Sequence, residues 1–242
     1  MPLPKIATPT YELELPSNGE TIHYRPFLVK EEKLLLLALE SEETKQITTA
    51  IKTVIKSCIS EKTVKVEALP TFDIEYLFLN IRGKSVGEEV DLNIICPDDG
   101  KTQVPITVAI DDIKVVRDDD HTNEVRIDDS LIMELKYPSL EEFIKSNFDV
   151  NMKSTKDTMQ HSFDLIAACV DKIYNENEVW EGKDLTKKEI LEFLEQMNST
   201  QFKNVEKFFE TMPKLSHTVK VKNPKTKVEK EVILEGLSSF FG

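Results

Sequence analysis

A single thiol in a turn, Cys96-Pro97-Asp98-Asp99, is where residue type and spacing in this chain come nearest to a metal site. A helix-like run, Thr71–Arg82, leads into the hairpin-like stretch EVDLNIICPDDGKTQVPITVAI that carries it. The same order returns near the C-terminus. There Thr200–Met212 is followed by HTVKVKNPKTKVEKEVILEGL, whose turn we align as Lys222-Asn223-Pro224-Lys225. A zinc ribbon would place Cys-x-x-Cys at both turns, because a structural zinc needs four nitrogen or sulfur ligands around a tetrahedron. One thiol cannot supply that set, and two lysines repel a cation. The spacing therefore predicts two degenerate zinc-ribbon-like hairpins without metal and without any other cofactor. Two independent hairpins account for the recurrence more simply than a duplication, since residue identity between the copies is low.

Other arrangements that could do chemistry fail on spacing. Gly83-Lys84-Ser85 ends like a phosphate-binding loop, but the position five before Gly83 is Phe78 in an apolar helical run, where the motif needs glycine after a strand. Asp118-x-Asp120-x-Thr122, with Asp129 further on, resembles a calcium loop flanked by strands instead of helices, and reads as a plain acidic loop. Asp98–Asp99, Asp111–Asp112 and Asp128–Asp129 are adjacent carboxylates in extended segments, so each pair points to opposite faces, not to one substrate. His23, His121, His161 and His217 have no second histidine or cysteine at ligand spacing. The sequence predicts no catalytic residues and no enzyme.

The elements around these positions form an α+β pattern, short antiparallel hairpins packed on amphipathic helices. Tyr11–Leu15 and Thr21–Tyr24 flank Pro-Ser-Asn-Gly, a strong hairpin signal. Leu34–Leu37 and Leu39 are apolar nearly all round, which predicts a buried helix from Lys30. Ile47, Ile51, Val54, Ile55 and Cys58 mark the next helix, and a third starts at Thr71 and is stopped by Gly83. Strands are expected over Val90–Ile95, Gln103–Ile110, Ile113–Val116, Glu124–Ile127 and Leu131–Lys136, with Arg117–Asn123 an exposed loop. A long helix is expected around Thr158–Tyr174, then a polar loop holding Trp180, then helices opened by a Thr186/Glu189 capping box and marked by Phe202–Met212. We divide the chain near Pro138, into a mixed half (1–137) and a helical half closed by a hairpin (138–242).

Composition bounds the function. The chain has 242 residues and a formal charge of −13, which argues against nucleic acid as main ligand. Its longest apolar run is six residues, Leu34–Leu39, against the roughly 20 of a membrane helix, and no signal peptide is expected. Cys58, Cys96 and Cys169 are odd in number and far apart, as for reduced thiols in a cytosolic context. Charge is polarised: six lysines between Lys214 and Lys230 face the single acid Glu229. That segment is either a solvated face or a docking surface for another subunit. Phe240 and Phe241 either pack in the core or insert into a neighbour, and Trp180 poses the same choice. The candidate partner-binding residues are thus Lys220, Lys222, Lys225, Trp180, Phe240 and Phe241.

Three blocks, LPSNGETIHYRPFLVKEEKLLLLALE, LPTFDIEYLFLNIRGKSVGEEVDLNIIC and FFETMPKLSHTVKVKNPKTKVEKEVILEGLSSFF, together resemble the baseplate hub assembly proteins of T-even-type contractile-tailed bacteriophages. The resemblance spans nearly the whole chain in order. It implies a structural or assembly protein made in the host cytoplasm, with a possible place in the virion baseplate. Its partners would be other baseplate and hub proteins, in a homo- or hetero-oligomer. Such families often carry Cys-x-x-Cys at the hairpin turns, and this sequence keeps only Cys96. The alternative class is a soluble, non-viral binding or regulatory module without catalytic activity.

Overall fold

Along β3 (Glu89–Ile95) Val90, Leu92 and Ile94 are buried while Glu89, Asp91, Asn93 and Ile95 face outward, the two-residue period of a half-buried strand. This is a computed structural model, describing residues 6–41, 43–140 and 155–240. Ahead of β3 lie the hairpin β1 (Tyr11–Glu14) and β2 (Thr21–Tyr24), then helices α1 (Val29–Glu40), α2 (Thr44–Cys58) and α3 (Thr71–Val86). After it come β4 (Gln103–Ala109), β5 (Lys114–Val116), β6 (Glu124–Arg126), β7 (Ile132–Leu135), α4 (Thr155–Cys169), β8 (Val170–Tyr174) and β9 (Val179–Glu181). The chain continues with α5 (Lys187–Glu195), α6 (Ser199–Thr211), β10 (Lys214–Lys222), β11 (Glu229–Glu235) and a 3-10 turn, Leu237–Phe240. The fold is α+β, with small antiparallel sheets ordered β1-β2, β3-β4, β11-β10-β5 and β6-β7-β8-β9.

Contacts divide the chain into two interleaved units, where the sequence reading placed one cut at Pro138. One comprises Met1–Val66, Phe72–Val116 and Lys214–Gly242; the other comprises Glu67–Thr71 and Arg117–Pro213. In the first, the inner faces of the two long hairpins share a core. Val90, Leu92, Ile94 and Val108 meet Val219, Val221 and Leu234, with Leu79 of α3 and Phe240 in the same cluster. Phe240 is 0% exposed, so its aromatic area packs inside this chain. Burying such a ring contributes about 1.5–3 kcal/mol. Phe241 lies outside the described residues.

In the second unit, α4, α5 and α6 line a core of Val125, Met133, Leu135, Ile166, Val170, Ile173, Leu194, Val205 and Phe208. The Thr186 cap forms as expected: its N–H donates to Glu189 Oε2 at 2.7 Å, and Glu189 N–H donates back to Thr186 Oγ1 at 3.3 Å.

Several sequence expectations are corrected. The helix predicted through Tyr174 ends at Cys169, because Val170–Tyr174 pairs with β7 on one side and β9 on the other. Trp180 consequently sits in strand β9 opposite Ile173, not in a loop. Gly83 does not stop α3. It lies inside the helix, where an added Cβ would come 3.1 Å from Ile110 Cδ1, so the missing side chain lets Ile110 approach. Helix α1 is not buried: of its residues only Glu31 and Ala38 are buried, and Leu36 and Leu37 are each 55% exposed.

His121 also departs from the exposed loop expected for it. It is buried, hydrogen-bonds Thr211 Oγ1 at 2.9 Å and the Tyr137 hydroxyl at 3.1 Å, and stacks on the Tyr137 ring.

Residues 237–240 are tied back to α3 by the Leu237 N–H, which donates to Glu75 Oε1 at 3.2 Å. Burial pushes the Glu75 carboxyl up to about 7, outweighing that hydrogen bond. A raised carboxyl favours the folded state when protonated, so its penalty grows as pH rises from about 4.5 through about 7. Glu75→Gln keeps the acceptor and removes the charge. Its melting temperature should exceed that of the native protein by roughly 2–4 °C at pH 8 and match it at pH 4.5, as thermal denaturation across pH would show.

Candidate functional site

Three hairpins of this protein close in the same way. Pro16, Pro97 and Pro224 follow the first residue of their turns, a position whose φ the pyrrolidine ring presets. The N–H of Gly19 donates to Leu15 O, that of Gly100 to Cys96 O, and that of Lys227 to Asn223 O, each at 2.9 Å. The donating residue is left-handed every time, with φ of +71°, +63° and +66° respectively. Glycine takes that conformation freely and lysine does not.

This pattern corrects the alignment of the two zinc-ribbon-like turns by one residue. Ile95 pairs with Gln103 and Lys222 with Glu229, so Lys222 is the last strand residue, as Ile95 is. Asn223 corresponds to Cys96, and Thr226 to Asp99. Lys222 and Lys225 do not occupy the ligand positions.

The two turns meet through side chains. Asn223, 0% exposed, donates from Nδ2 to Asp98 Oδ1 and Oδ2 at 3.0 and 3.1 Å and to Asp99 Oδ2 at 3.0 Å. The Thr226 hydroxyl donates to Asp98 Oδ2. Each turn is also internally braced. Asn223 Oδ1 accepts from the N–H groups of Lys225 and Thr226 at 2.9 and 3.3 Å. Asp99 Oδ1 accepts from those of Lys101 and Thr102 at 3.0 and 2.9 Å, and its Oδ2 from Thr102 Oγ1 at 2.6 Å. The first hairpin turn is held by α3 instead: Ser17 donates its N–H to Asp73 Oδ1 at 3.1 Å and its hydroxyl to Oδ2.

These residues do not fit a zinc ion. The four equivalent positions hold one thiol, one carboxylate, one amide and one hydroxyl, and the last three satisfy one another or the backbone. Burial and then the Asp98 and Asp99 carboxylates push the Cys96 thiol up, away from the thiolate a metal needs. Asp98 and Asp99 are held below the ordinary carboxylate range, Asp98 first by Thr226 and then by Asn223, Asp99 first by Thr102. The cluster can join two hairpins, and it corrects the expectation that Asp98 and Asp99 point to opposite faces: they lie in a turn, not a strand, and both accept from Asn223 Nδ2. Among the described residues, no group of three or more His, Cys, Asp or Glu is placed to hold a metal.

The remaining sequence candidates separate. Lys84 of α3 pairs with Glu88 just beyond the helix, and the Ser85 hydroxyl accepts from Phe27 N–H at 2.9 Å, so neither belongs to a phosphate loop. Asp118 and Asp128 each brace their own turns. His23 lies 2.8 Å from Glu61, and His217 Nδ1 contacts the Asp112 carbonyl at 3.2 Å; the His161 side chain lies outside what is described. Lys220 and Lys222 are exposed on β10 opposite Glu231 and Glu229, and Trp180 is 37% exposed on β9. The sequence reading missed Asn223, Asp98 and Thr226. The usable signal was the proline shared by the turns, which sets the register.

The two long hairpins are thus joined by hydrogen bonds at the place a metal ribbon would use zinc. The chain belongs to the family described as T4 bacteriophage base plate protein, whose family model matches residues 8–242. No curated protein and no solved structure matches it. It is therefore a structural protein of a phage tail baseplate, and its partners are other baseplate proteins. None of the helices in the described residues is long and apolar enough to cross a membrane.

Two substitutions test the joint. Asn223→Ala leaves Asp98 and Asp99 without their shared donor and should cost about 1.5–3 kcal/mol. Asn223→Asp adds a third carboxylate and should cost more at pH 7, with the excess shrinking as pH falls towards 4; urea titrations at both pH values measure it. Lys227→Gly relieves the left-handed lysine and should raise the urea midpoint, by about 0.5–1 kcal/mol in stability.

Proposed function

We propose that the protein helps to build the hub of the baseplate, in the host cytoplasm, by protein–protein contact and without catalysis. The observation that carries this reading is the open edge of β11. It is the outer strand of β11-β10-β5, and its outward Ile233 is 63% exposed. An edge strand presents N–H and C=O groups to an incoming strand, so it supplies affinity without special side chains.

The charged residues around that edge set which strand is accepted. Lys220 lies 3.8 Å from Glu231 in a largely exposed pair, worth under about 1 kcal/mol, so both groups remain available to a partner. Lys225 and Lys227 stand beyond the ladder, in the turn. The second unit has an edge of its own in β9, where Val179 and Trp180 are exposed. Tryptophan in such a position is the residue type that most often anchors an interface.

Replacing Lys220, Lys222 and Lys225 by glutamate should abolish co-purification with hub proteins from infected-cell lysate while leaving the circular dichroism spectrum unchanged. Trp180→Ala should weaken the same association by on the order of 2 kcal/mol. Complex formation unchanged in both variants would remove this reading.

A further inference from the structure

One stripe of α1 is exposed among the described residues. Counting 3.6 residues per turn, Val29, Lys33, Leu36, Leu37 and Glu40 fall within roughly 100° of one another, on the side away from the buried Glu31 and Ala38. All five are exposed, Val29 at 79%. Leu34 and Leu39 flank the stripe and are exposed as well. A helix this apolar on its outer side is ordinarily covered by another element.

The order of residues says what covers it. Midway between Leu36 and Leu37 the stripe is its own complement under a two-fold rotation. An antiparallel copy of α1 centred there sets Leu36 and Leu37 beside the same two residues of the partner helix. Lys33 then falls against Glu40, and the rotation makes that pair twice, once at each end of the leucine patch. A parallel copy would set lysine against lysine and glutamate against glutamate. The pattern thus selects both the partner and its direction.

We propose that the protein associates with a second copy of itself through this face of α1, as an antiparallel two-fold helix pair sealed at both ends by Lys33 and Glu40. Packing of Leu36 and Leu37 against their copies supplies the contact, and the end charges supply orientation. The inference stands apart from the hub reading, since it concerns neither the hairpin edges nor their lysines.

Sedimentation of the purified full chain tests it. The native protein should form dimers at micromolar concentration. Leu36→Glu with Leu37→Glu should give a monomer with an unchanged circular dichroism spectrum. Lys33→Glu or Glu40→Lys alone sets like charges together twice per dimer and should weaken association roughly tenfold. The double exchange Lys33→Glu with Glu40→Lys should restore it. A native protein that stays monomeric, as it would if the stripe were reserved for a helix of another baseplate protein, overturns the proposal. So does a dimer that survives the leucine substitutions, or a double exchange no tighter than the single ones.

Discussion

The amide of Asn223, set between the carboxylates of Asp98 and Asp99, is the contact on which the first unit's arrangement turns. Hydrophobic attraction between the inner faces of β3-β4 and β10-β11 is strong but non-directional. Slipping one strand of either hairpin by one residue against its partner strand would turn that strand's apolar set outward. Hydrogen bonds between the turns depend on distance and angle, and so prefer one register. They are also asymmetric in energy. Made, each contributes modestly; with the amide removed, two ionised groups lose a partner at once.

This joint explains how a ribbon-like architecture persists without ribbon chemistry. A metal would tie two turns through four ligands, at the expense of dependence on metal supply and thiol redox state. Here backbone N–H groups brace Asp99 and Asn223, and the side chains so fixed reach across to the other turn. Pro97 and Pro224 place both turns alike, and Gly100 and Lys227 close them alike. The same closure at Leu15–Gly19 is secured by Asp73 of α3, so one turn geometry is held here by two different acids-and-donors arrangements.

What the chain leaves on its surface suits a baseplate component. Among the described residues, polar groups near the turns are internally satisfied, whereas the β11 and β9 edges and the α1 leucines are exposed. Cross-strand pairing of Lys220 with Glu231 and Lys222 with Glu229 tempers the basic stretch, which is less one-sided in space than along the sequence. Phe240 shows the opposite case. An aromatic residue that could have served an interface fills the core shared by both hairpins.

Local pattern alone determined much of this protein. Alternation along Glu89–Ile95, the Pro-Ser-Asn-Gly turn and the Thr186/Glu189 box each act over a few residues, and each element formed where its pattern lies. Tertiary structure decided the rest, where two states were locally close in energy. Val170–Tyr174 suits a helix or a strand, and became a strand because β7 and β9 offered ladders on both sides. Leu34–Leu39 has the composition of a core helix, yet only packing partners could have buried it, and the fold supplies them on one side alone. The meeting of Asn223 with Asp98 joins residues 125 apart in sequence, a distance no local periodicity reports.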